Sequence, residues 1–254
     1  MYAIVTAGGV IEPNQPLYKL AHGGLKSMIS IANKPMVQWV LDALGNAATV
    51  KHVVVVGLPR MSDLECRVPL TLLPDQGGMF ANIRAGAAEV KQLDPEASHA
   101  ILSTADIPAI RGEIIDWLAQ QCDSFDQDVY FTLVERTVME AKFPGVKLPF
   151  MHLKELEVCP GHLHCFRLQA ALDDTPLWKG LVDSRKSSLR QASLLGYDAM
   201  LFLMLRRLSL KDAEAAVCKR LGVLGKAVLC PYPEAGLDVD KPAQYEIMRQ
   251  LFAE

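Results

Sequence analysis

Residues Ala3–Gly9 read AIVTAGG, an apolar run that ends directly in two glycines. Consecutive apolar residues over this length predict a β-strand that is buried on both faces. The glycine pair is typical of a tight turn, and it would also let the backbone close around a ligand. Because no Gly-x-Gly-x-x-Gly pattern follows, the stretch does not match the usual dinucleotide-binding fingerprint.

Strand-like and helix-like segments alternate after this stretch. Further strands are predicted at residues 53–56, 68–73, 100–105, 128–134 and 226–230, and helices at residues 80–92, 111–121 and 242–252. Asn33 is a candidate cap for a helix that begins near Pro35, and Ser209 with Asp212 forms a candidate capping box. Such an alternation predicts a three-layer α/β/α sandwich with a mostly parallel, mixed, Rossmann-like sheet. We expect one domain over residues 1–254, with a helical insert at 140–222 that includes an apolar helix at 186–207.

The composition is that of an ordinary globular protein. Half of the 254 residues are hydrophobic, 22% are charged, and the formal net charge is −3, which gives no sign of nucleic-acid binding. No apolar run reaches the ~18 residues of a membrane span, and no leader-like pattern precedes the first strand. The six cysteines form no C-x-x-C pair. We therefore expect a cytoplasmic protein with reduced thiols that binds neither nucleic acid nor membranes.

Glycines and acidic residues are concentrated where the predicted strands end. The segments that contain them are Ala7-Gly8-Gly9, Asp75-Gln76-Gly77-Gly78, Asp106, and Asp238 with Asp240. In open parallel sheets, ligands bind outside the carboxyl ends of the strands, so these residues would meet at one edge. Each also has a structural interpretation: the glycines as turns, Asp106 as a strand terminator before Pro108, Asp240 as a helix N-cap and Lys26 as an exposed loop lysine.

The order of these motifs resembles that of the MobA-like nucleotidyltransferases. AIVTAGG with Lys26 downstream, followed by IANKPMVQWVLDAL at residues 31–44, is similar to the family's opening strand, glycine pair, loop with a lysine and first helix. TADIP at residues 104–108 resembles the family's G-D-x-P, with Ala105 in place of the glycine, and LDVDKPAQYE at residues 237–246 resembles D-I-D-T-P-E-D. GGMFANIRAG at residues 77–86 lies where the family has a base-binding segment. The resemblance covers most of residues 1–135 and returns at residues 226–250.

This resemblance implies Mg²⁺-dependent transfer of a nucleoside monophosphate from its triphosphate to a phosphorylated small-molecule acceptor, such as a sugar phosphate, with release of pyrophosphate. Catalysis of such a reaction is mainly positioning and charge neutralisation. The resemblance implies Lys26 and Asp106 as catalytic residues, and Asp106 with Asp240 or Asp238 as Mg²⁺ ligands, Asp240 being the better match. The implied nucleotide-binding residues are Ala7, Gly8, Gly9, Lys26, Gly77, Gly78 and Asn82. Residues 140–222 would lie on the acceptor side, and a homodimer is a possible assembly.

The loop at residues 10–25 departs from the family pattern, because it contains no arginine where the family usually has one. Lys19 is the candidate replacement for the missing phosphate contact. Two alternatives stay open: a nucleotide-binding or regulatory protein on the same fold, and a glycosyltransferase that uses a nucleotide sugar. For the pair His162 and His164, three interpretations are open, namely metal binding, a place for His162 in the acceptor pocket, and plain strand positions.

Overall fold

The computed structural model describes residues 1–22, 24–59, 63–173 and 207–253. The helix predicted at residues 186–207 lies, apart from its last residue, outside these ranges. The strands of the described chain are β1 (Tyr2–Thr6), β2 (Ser30–Ile31), β3 (Lys34–Pro35), β4 (His52–Val56), β5 (Leu70–Leu73), β6 (His99–Thr104), β7 (Val129–Glu135), β8 (Met151–His152), β9 (Glu157–Pro160), β10 (Leu163–Arg167) and β11 (Gly225–Leu229).

Nine of these strands form one central sheet in the order β5-β4-β1-β6-β10-β7-β9-β8, with β11 paired to β7. β1 is parallel to β4 and β6, β4 is parallel to β5, and β7 is parallel to β11. β10 lies antiparallel between β6 and β7. The remaining two strands, β2 and β3, form a separate antiparallel pair. The prediction of a mostly parallel but mixed sheet is therefore confirmed.

Side chains along the central strands alternate between two apolar cores, one on each face of the sheet. In β1, Ala3 and Val5 belong to one core, and Tyr2 and Ile4 belong to the other. The four valines at residues 53–56 of β4 alternate in the same way, and all four are fully buried. Because both faces are covered, residues 2–5 of β1 and 53–56 of β4 are apolar at successive positions, as their sequence predicts.

Helices cover both faces of the sheet and complete the three predicted layers. They are α1 (Tyr18–Ala21), α2 (Met36–Asn46), α3 (Met79–Leu93), α4 (Gly112–Gln121), α5 (Arg136–Lys142), α6 (Leu168–Leu172), α7 (Leu210–Leu221) and α8 (Pro242–Leu251). The apolar faces of α2, α4, α5 and α8 pack into the first core, and those of α3 and α6 into the second. Among the described helices, none is both long enough and apolar enough to cross a membrane.

Two predicted helix caps have opposite outcomes. Asn33 does not cap α2, because it has a φ of 63° in the turn between β2 and β3, and Pro35 occupies the N-cap position. Asparagine tolerates this left-handed conformation better than most residues, which explains its place in the turn. Ser209 does cap α7, since its Oγ accepts a hydrogen bond from the Asp212 N–H, and Gly222 ends that helix in the left-handed conformation.

A bend at Gly161 separates β9 from β10. Both pair with the same edge of β7, but their register with β7 shifts across the bend. A Cβ on Gly161 would lie 2.1 Å from Oγ1 of the buried Thr132 in β7, so this position requires glycine. The bend lets β10 continue between β6 and β7 and leaves His162 at the carboxyl end of β6, where its carbonyl accepts from the Thr104 N–H.

Candidate active site at the carboxyl edge of the sheet

The carboxyl ends of β5, β4, β1 and β6 lie side by side, because these strands are parallel neighbours. Their following loops carry the predicted glycines and Asp106. The loop after β11 reaches the same edge, since the Val239 N–H donates to the Asp106 carbonyl at 2.9 Å. The structure therefore brings together the strand ends that the sequence analysis singled out.

Ala7 and Gly8 form a tightly packed wall of this edge. The Ala7 N–H donates to the Val56 carbonyl at 2.8 Å, and the Ala7 carbonyl accepts from Oγ of Ser27 at 2.7 Å. Gly8 lies directly against Gly57, where a Cβ would be 2.1 Å from the Gly8 nitrogen. Gly57 also has a φ of 114°, which favours glycine. Glycine at position 57 is thus required both by its backbone conformation and by its contact with the backbone of Gly8.

Asp75 is held beside Gly8 by a network of hydrogen bonds. Its Oδ1 accepts from Nδ2 of the buried Asn82 at 2.7 Å, and its Oδ2 accepts from the Gly77 N–H at 3.3 Å. Oδ1 of Asn82 accepts from the Gln76 N–H at 2.7 Å, so both ends of this amide shape the loop. A Cβ on Gly8 would lie 2.5 Å from Oδ1 of Asp75. Both polar atoms of the Asn82 side chain thus form hydrogen bonds with residues 75 and 76. Direct contact of Asn82 with a base stays a prediction.

The remaining glycines of this loop lead into α3. Gly77 has a φ of 83°, and Gly78 occupies the N-cap position, with its carbonyl accepting from the Asn82 N–H at 2.9 Å. Neither glycine has a neighbouring atom within 4 Å of the position of a Cβ. Their backbone is therefore accessible, but their contact with a base is a prediction.

The loop at residues 10–25 folds back and delivers Lys26 to the edge. Gly9 has a φ of 122°, and its carbonyl accepts from the Lys26 N–H at 3.2 Å. Val10 and Leu25 form a β-bridge across the base of the loop. Lys19 lies on α1 and is exposed, so its phosphate contact stays a prediction.

Lys26 forms an ion pair with each of two aspartates. Its Nζ donates to Oδ2 of Asp106 at 2.5 Å and to Oδ1 of Asp240. Burial alone would lower the pKa of Lys26, but the two carboxylates raise it above its usual value. Burial would raise the pKa of Asp106, but the charge of Lys26, with a smaller contribution from His162, holds it well below its usual range. Lys26 is therefore charged and Asp106 ionised at neutral pH.

These contacts contradict the structural interpretations of three residues. The Lys26 side chain is only 21% exposed and is paired, so it is not an exposed loop lysine. Asp106 binds Lys26 and does not terminate its strand through a backbone hydrogen bond. Lys241 holds the N-cap position of α8, and the Asp240 carboxylate binds Lys26 instead.

Asp106, Asp238 and Asp240 form an acidic cluster. Each offers one carboxylate oxygen, and these oxygens lie within 4.8 Å of one another. In the described ranges this is the one group of three or more side chains suited to holding a metal ion. Asp238 is largely buried, and its Oδ2 lies 3.7 Å from Nε2 of His162. Burial, together with the charges of Asp106 and Asp240, raises the pKa of Asp238 to about 8.

The acidic cluster fits a divalent cation that prefers oxygen ligands. Oδ1 of Asp106 is buried and has no hydrogen-bond partner among the described residues, while its Oδ2 is bound by Lys26. Buried polar atoms without a partner are rare in native proteins and call for an ion, a water or a ligand group. Mg²⁺ takes one or two carboxylates together with phosphate oxygens and water. The donor set is therefore compatible with Mg²⁺.

Glu234 braces the loop that carries Asp238 and Asp240. Its side chain is 1% exposed, and Oε1 accepts from Nη1 of Arg111 at 2.8 Å and from Nζ of Lys142 at 2.5 Å. Arg111 follows the β6 segment and Lys142 ends α5. One buried carboxylate thus joins the segment after β11 to the residue before α4 and to the last residue of α5.

His162 and His164 have separate surroundings. His164 is buried, stacks on Phe131 with ring centroids 4.4 Å apart, and accepts at Nδ1 from the Thr132 N–H at 3.3 Å. The strand interpretation is thus correct for His164. His162 lies just before β10, beside Asp238.

Three residues at this edge were not among the site residues predicted from the sequence, namely Gly57, Asp75 and Glu234. Gly57 had a detectable signal, because it follows four valines as Gly8 follows β1. Asp75 lies within the quoted Asp75–Gly78 segment, but its role depends on its contacts with Asn82 and Gly8. Gly8 is far from both residues in the sequence. No local pattern marks Glu234, whose two partners come from other loops.

Comparison with known proteins gives matches to nucleotidyltransferases. The family model described as MobA-like NTP transferase domain matches residues 21–176, and no curated protein sequence matches significantly. A structure titled as a hypothetical transferase from Thermus thermophilus is 31% identical, covers 96% of this chain and 98% of its own, and has a TM-score of 0.82.

Two more distant structures support the fold alone. CMP:2-keto-3-deoxy-manno-octonic acid synthetase complexed with CTP is 18% identical over 99% of this chain and 98% of its own, with a TM-score of 0.56. Molybdopterin-guanine dinucleotide biosynthesis protein A from Archaeoglobus fulgidus is 12% identical over 100% of this chain and 99% of its own, with a TM-score of 0.50. The match to the family model at residues 21–176 spans more than half of the present chain. This chain therefore belongs to the MobA-like NTP transferase family.

Proposed function

We propose that the protein is a nucleotidyltransferase that moves a nucleoside monophosphate from its triphosphate to a phosphorylated small-molecule acceptor and releases pyrophosphate. The observation that carries this proposal is the Lys26–Asp106 ion pair within the acidic cluster, at the sheet edge that also carries the glycine loop. A sheet edge with accessible backbone, a cation and clustered carboxylates suits a triphosphate with its metal.

The glycine loop and the Asp75 loop would receive the nucleoside. The backbone of Ala7–Gly9 can approach the ligand closely because no side chain intervenes at Gly8 and Gly9. Asp75, fixed by Asn82 and Gly77, presents a carboxylate that accepts hydrogen bonds from amino or imino groups of a base. The accessible backbone of Gly77 and Gly78 would complete this end of the site.

The chemical step would depend on positioning and charge neutralisation. An acceptor oxygen attacks the α-phosphorus, the bond from that phosphorus to the bridging oxygen breaks, and pyrophosphate leaves with the electron pair. Lys26 would place its positive charge against the phosphates as negative charge moves to the leaving group. Mg²⁺, held by Asp106 with Asp240 or Asp238, would neutralise the charge of the triphosphate. Residues 140–222 would lie on the acceptor side.

One feature favours a second candidate, a nucleotide-binding protein without turnover. The loop at residues 10–25 has no arginine, and Lys19 on α1 is the candidate replacement. Such a protein would bind triphosphate with Mg²⁺ but would release no pyrophosphate.

The experiment has two stages. Thermal-shift screening of the four nucleoside triphosphates with Mg²⁺ identifies the preferred base, because a ligand that binds only the folded state raises the melting temperature. Pyrophosphate release is then measured with pyrophosphatase and phosphate detection, using a panel of sugar phosphates as acceptors. Triphosphate-dependent release that requires an acceptor supports the proposal. Binding without release with any acceptor supports the second candidate, and release of a nucleoside diphosphate from a nucleotide sugar would contradict both.

A further inference from the structure

His162 is fixed between the two segments that supply the acidic cluster. Its carbonyl accepts from the N–H of Thr104, two residues before Asp106, at 3.2 Å. Its N–H donates to the carbonyl of Ala235, three residues before Asp238, at 2.7 Å. The backbone of His162 is therefore tied to both sides of the cluster.

The bend at Gly161 determines where this histidine lies. A side chain at Gly161 would collide with Thr132, and the register with β7 shifts between β9 and β10 at this point. His162 follows the bend directly and continues the pairing of β10 with β6. The Pro160-Gly161-His162 segment thus acts as a positioning element for one imidazole.

The imidazole lies on the side of the acidic cluster that faces away from the glycine loop. In the sheet, β10 is next to β6 on the side opposite β1. Nε2 of His162 lies 3.7 Å from Oδ2 of Asp238, and its side chain is 15% exposed. The nucleotide would occupy the β5-β4-β1 half of the edge, which leaves the half beyond β6 for the acceptor.

We infer that His162 binds the acceptor, and that its ring N–H donates a hydrogen bond to the phosphate group of the acceptor as this group approaches the α-phosphorus. The inference rests on the proposed function, and it assigns the acceptor as a phosphomonoester. A phosphate oxygen is already ionised at neutral pH, so its attack on the α-phosphorus needs no proton transfer from His162. The new bond joins this oxygen to the α-phosphorus as pyrophosphate leaves with the electron pair of the broken bond.

The test measures nucleotide and acceptor binding separately. Calorimetry first gives the affinity of wild type, His162→Ala and His162→Gln for the preferred triphosphate with Mg²⁺. A phosphomonoester panel of glucose 1-phosphate, ribose 5-phosphate and glycerol 1-phosphate is then titrated into the protein saturated with Mg²⁺ and a non-hydrolysable triphosphate analogue. Histidine Cε1–H resonances are followed by NMR in the same samples. His152→Ala is the matched control, because His152 is a partly exposed histidine that pairs with Glu157 on the neighbouring hairpin.

We expect the Cε1–H resonance of His162 to shift when a phosphomonoester is added and that of His152 to keep its chemical shift. His162→Ala should weaken phosphomonoester binding about tenfold, the effect of one lost hydrogen bond to a charged group, and leave triphosphate affinity unchanged. His162→Gln should restore most of the affinity, because its amide N–H also donates. Unchanged phosphomonoester affinity in His162→Ala, or no phosphomonoester binding to wild type, would overturn this inference while the nucleotide site stands. Failure of wild type to bind any triphosphate with Mg²⁺ would overturn the proposed function and this inference together.

Discussion

Replacing Lys26 with methionine should destabilise the protein in a way that Mg²⁺ reverses. Methionine keeps much of the length of the side chain but removes the ammonium group that joins Asp106 and Asp240. The acidic cluster would then hold adjacent carboxylates without a counter-charge. A divalent cation can take the place of the lost ammonium group, so its binding should restore stability.

The size of the stability loss in Lys26→Met follows from the burial of the Lys26–Asp106 ion pair. The side chains of Lys26 and Asp106 are 21% and 20% exposed, whereas Asp240 is 57% exposed and contributes less. Removing one partner from a buried ion pair costs about 3–5 kcal/mol, and partial exposure reduces this to about 2–3 kcal/mol here. For a chain of this size, that loss lowers the melting temperature by about 4–12 °C.

The assay is thermal unfolding of wild type and Lys26→Met, with EDTA and with millimolar Mg²⁺. The double variant Lys26→Met/Asp106→Asn should be more stable than Lys26→Met, because it removes the unpaired charge as well. Lys34→Met is the matched control, since Lys34 also pairs with one aspartate but its side chain is 36% exposed and lies outside the acidic cluster. Its melting temperature should change little and should not respond to Mg²⁺.

Two results would refute this reasoning. If Lys26→Met melts within about 1 °C of wild type in EDTA, the ion pairs contribute no stability and the charge argument fails. If Mg²⁺ raises the melting temperatures of wild type and Lys26→Met equally, the cation does not replace the ammonium group.

Three further predictions concern residues around the site. Gly57→Ala should weaken triphosphate binding in calorimetry, because its Cβ would lie 2.1 Å from the Gly8 nitrogen. Gly145→Ala should not, because Gly145 also has a positive φ, of 80°, but no atom lies within 4 Å of the position of its Cβ. Glu234→Gln should lower the free energy of unfolding, measured in urea, by about 2 kcal/mol, because Arg111 and Lys142 lose a buried charge partner. A change below about 0.5 kcal/mol would contradict this prediction. Burial lowers the pKa of His99, so the stability that neutral His99 contributes is fully present above pH ~6.5 and is lost as pH falls towards its folded-state pKa. The free energy of unfolding of His99→Gln should therefore fall less than that of wild type between about pH 7.5 and 5.5.

The sequence predicted the layers, and the meeting of the glycines and Asp106 at one edge of the sheet, because both depend on local patterns. The apolar run at residues 2–5 of β1 is explained by burial on both faces, and the same holds for the valines of β4. The glycines and Asp106 were located by the rule that ligands lie at the carboxyl ends of parallel strands. These features need no knowledge of which strands are neighbours beyond their common direction.

Features that depend on long-range packing could not be predicted in the same way. The position of β10 between β6 and β7 is a long-range strand pairing, and the need for glycine at position 161 comes from its close contact with Thr132 of β7. The Glu234 brace joins residues that are 92 and 123 positions apart. Asn33 was assigned as a cap from its residue type, but the short turn between β2 and β3 needs a left-handed residue there.

The most direct test of a metal-dependent triphosphate site is calorimetry of wild type and Asp106→Asn with the preferred triphosphate, each with Mg²⁺ and with EDTA. Asparagine keeps the shape of the side chain and removes the charge of the carboxylate whose Oδ1 is buried without a hydrogen-bond partner among the described residues. We predict that wild type binds the triphosphate at least about tenfold more tightly with Mg²⁺ than with EDTA, and that Asp106→Asn loses this difference. Equal Mg²⁺-dependent binding by the two proteins would contradict the assignment of the site.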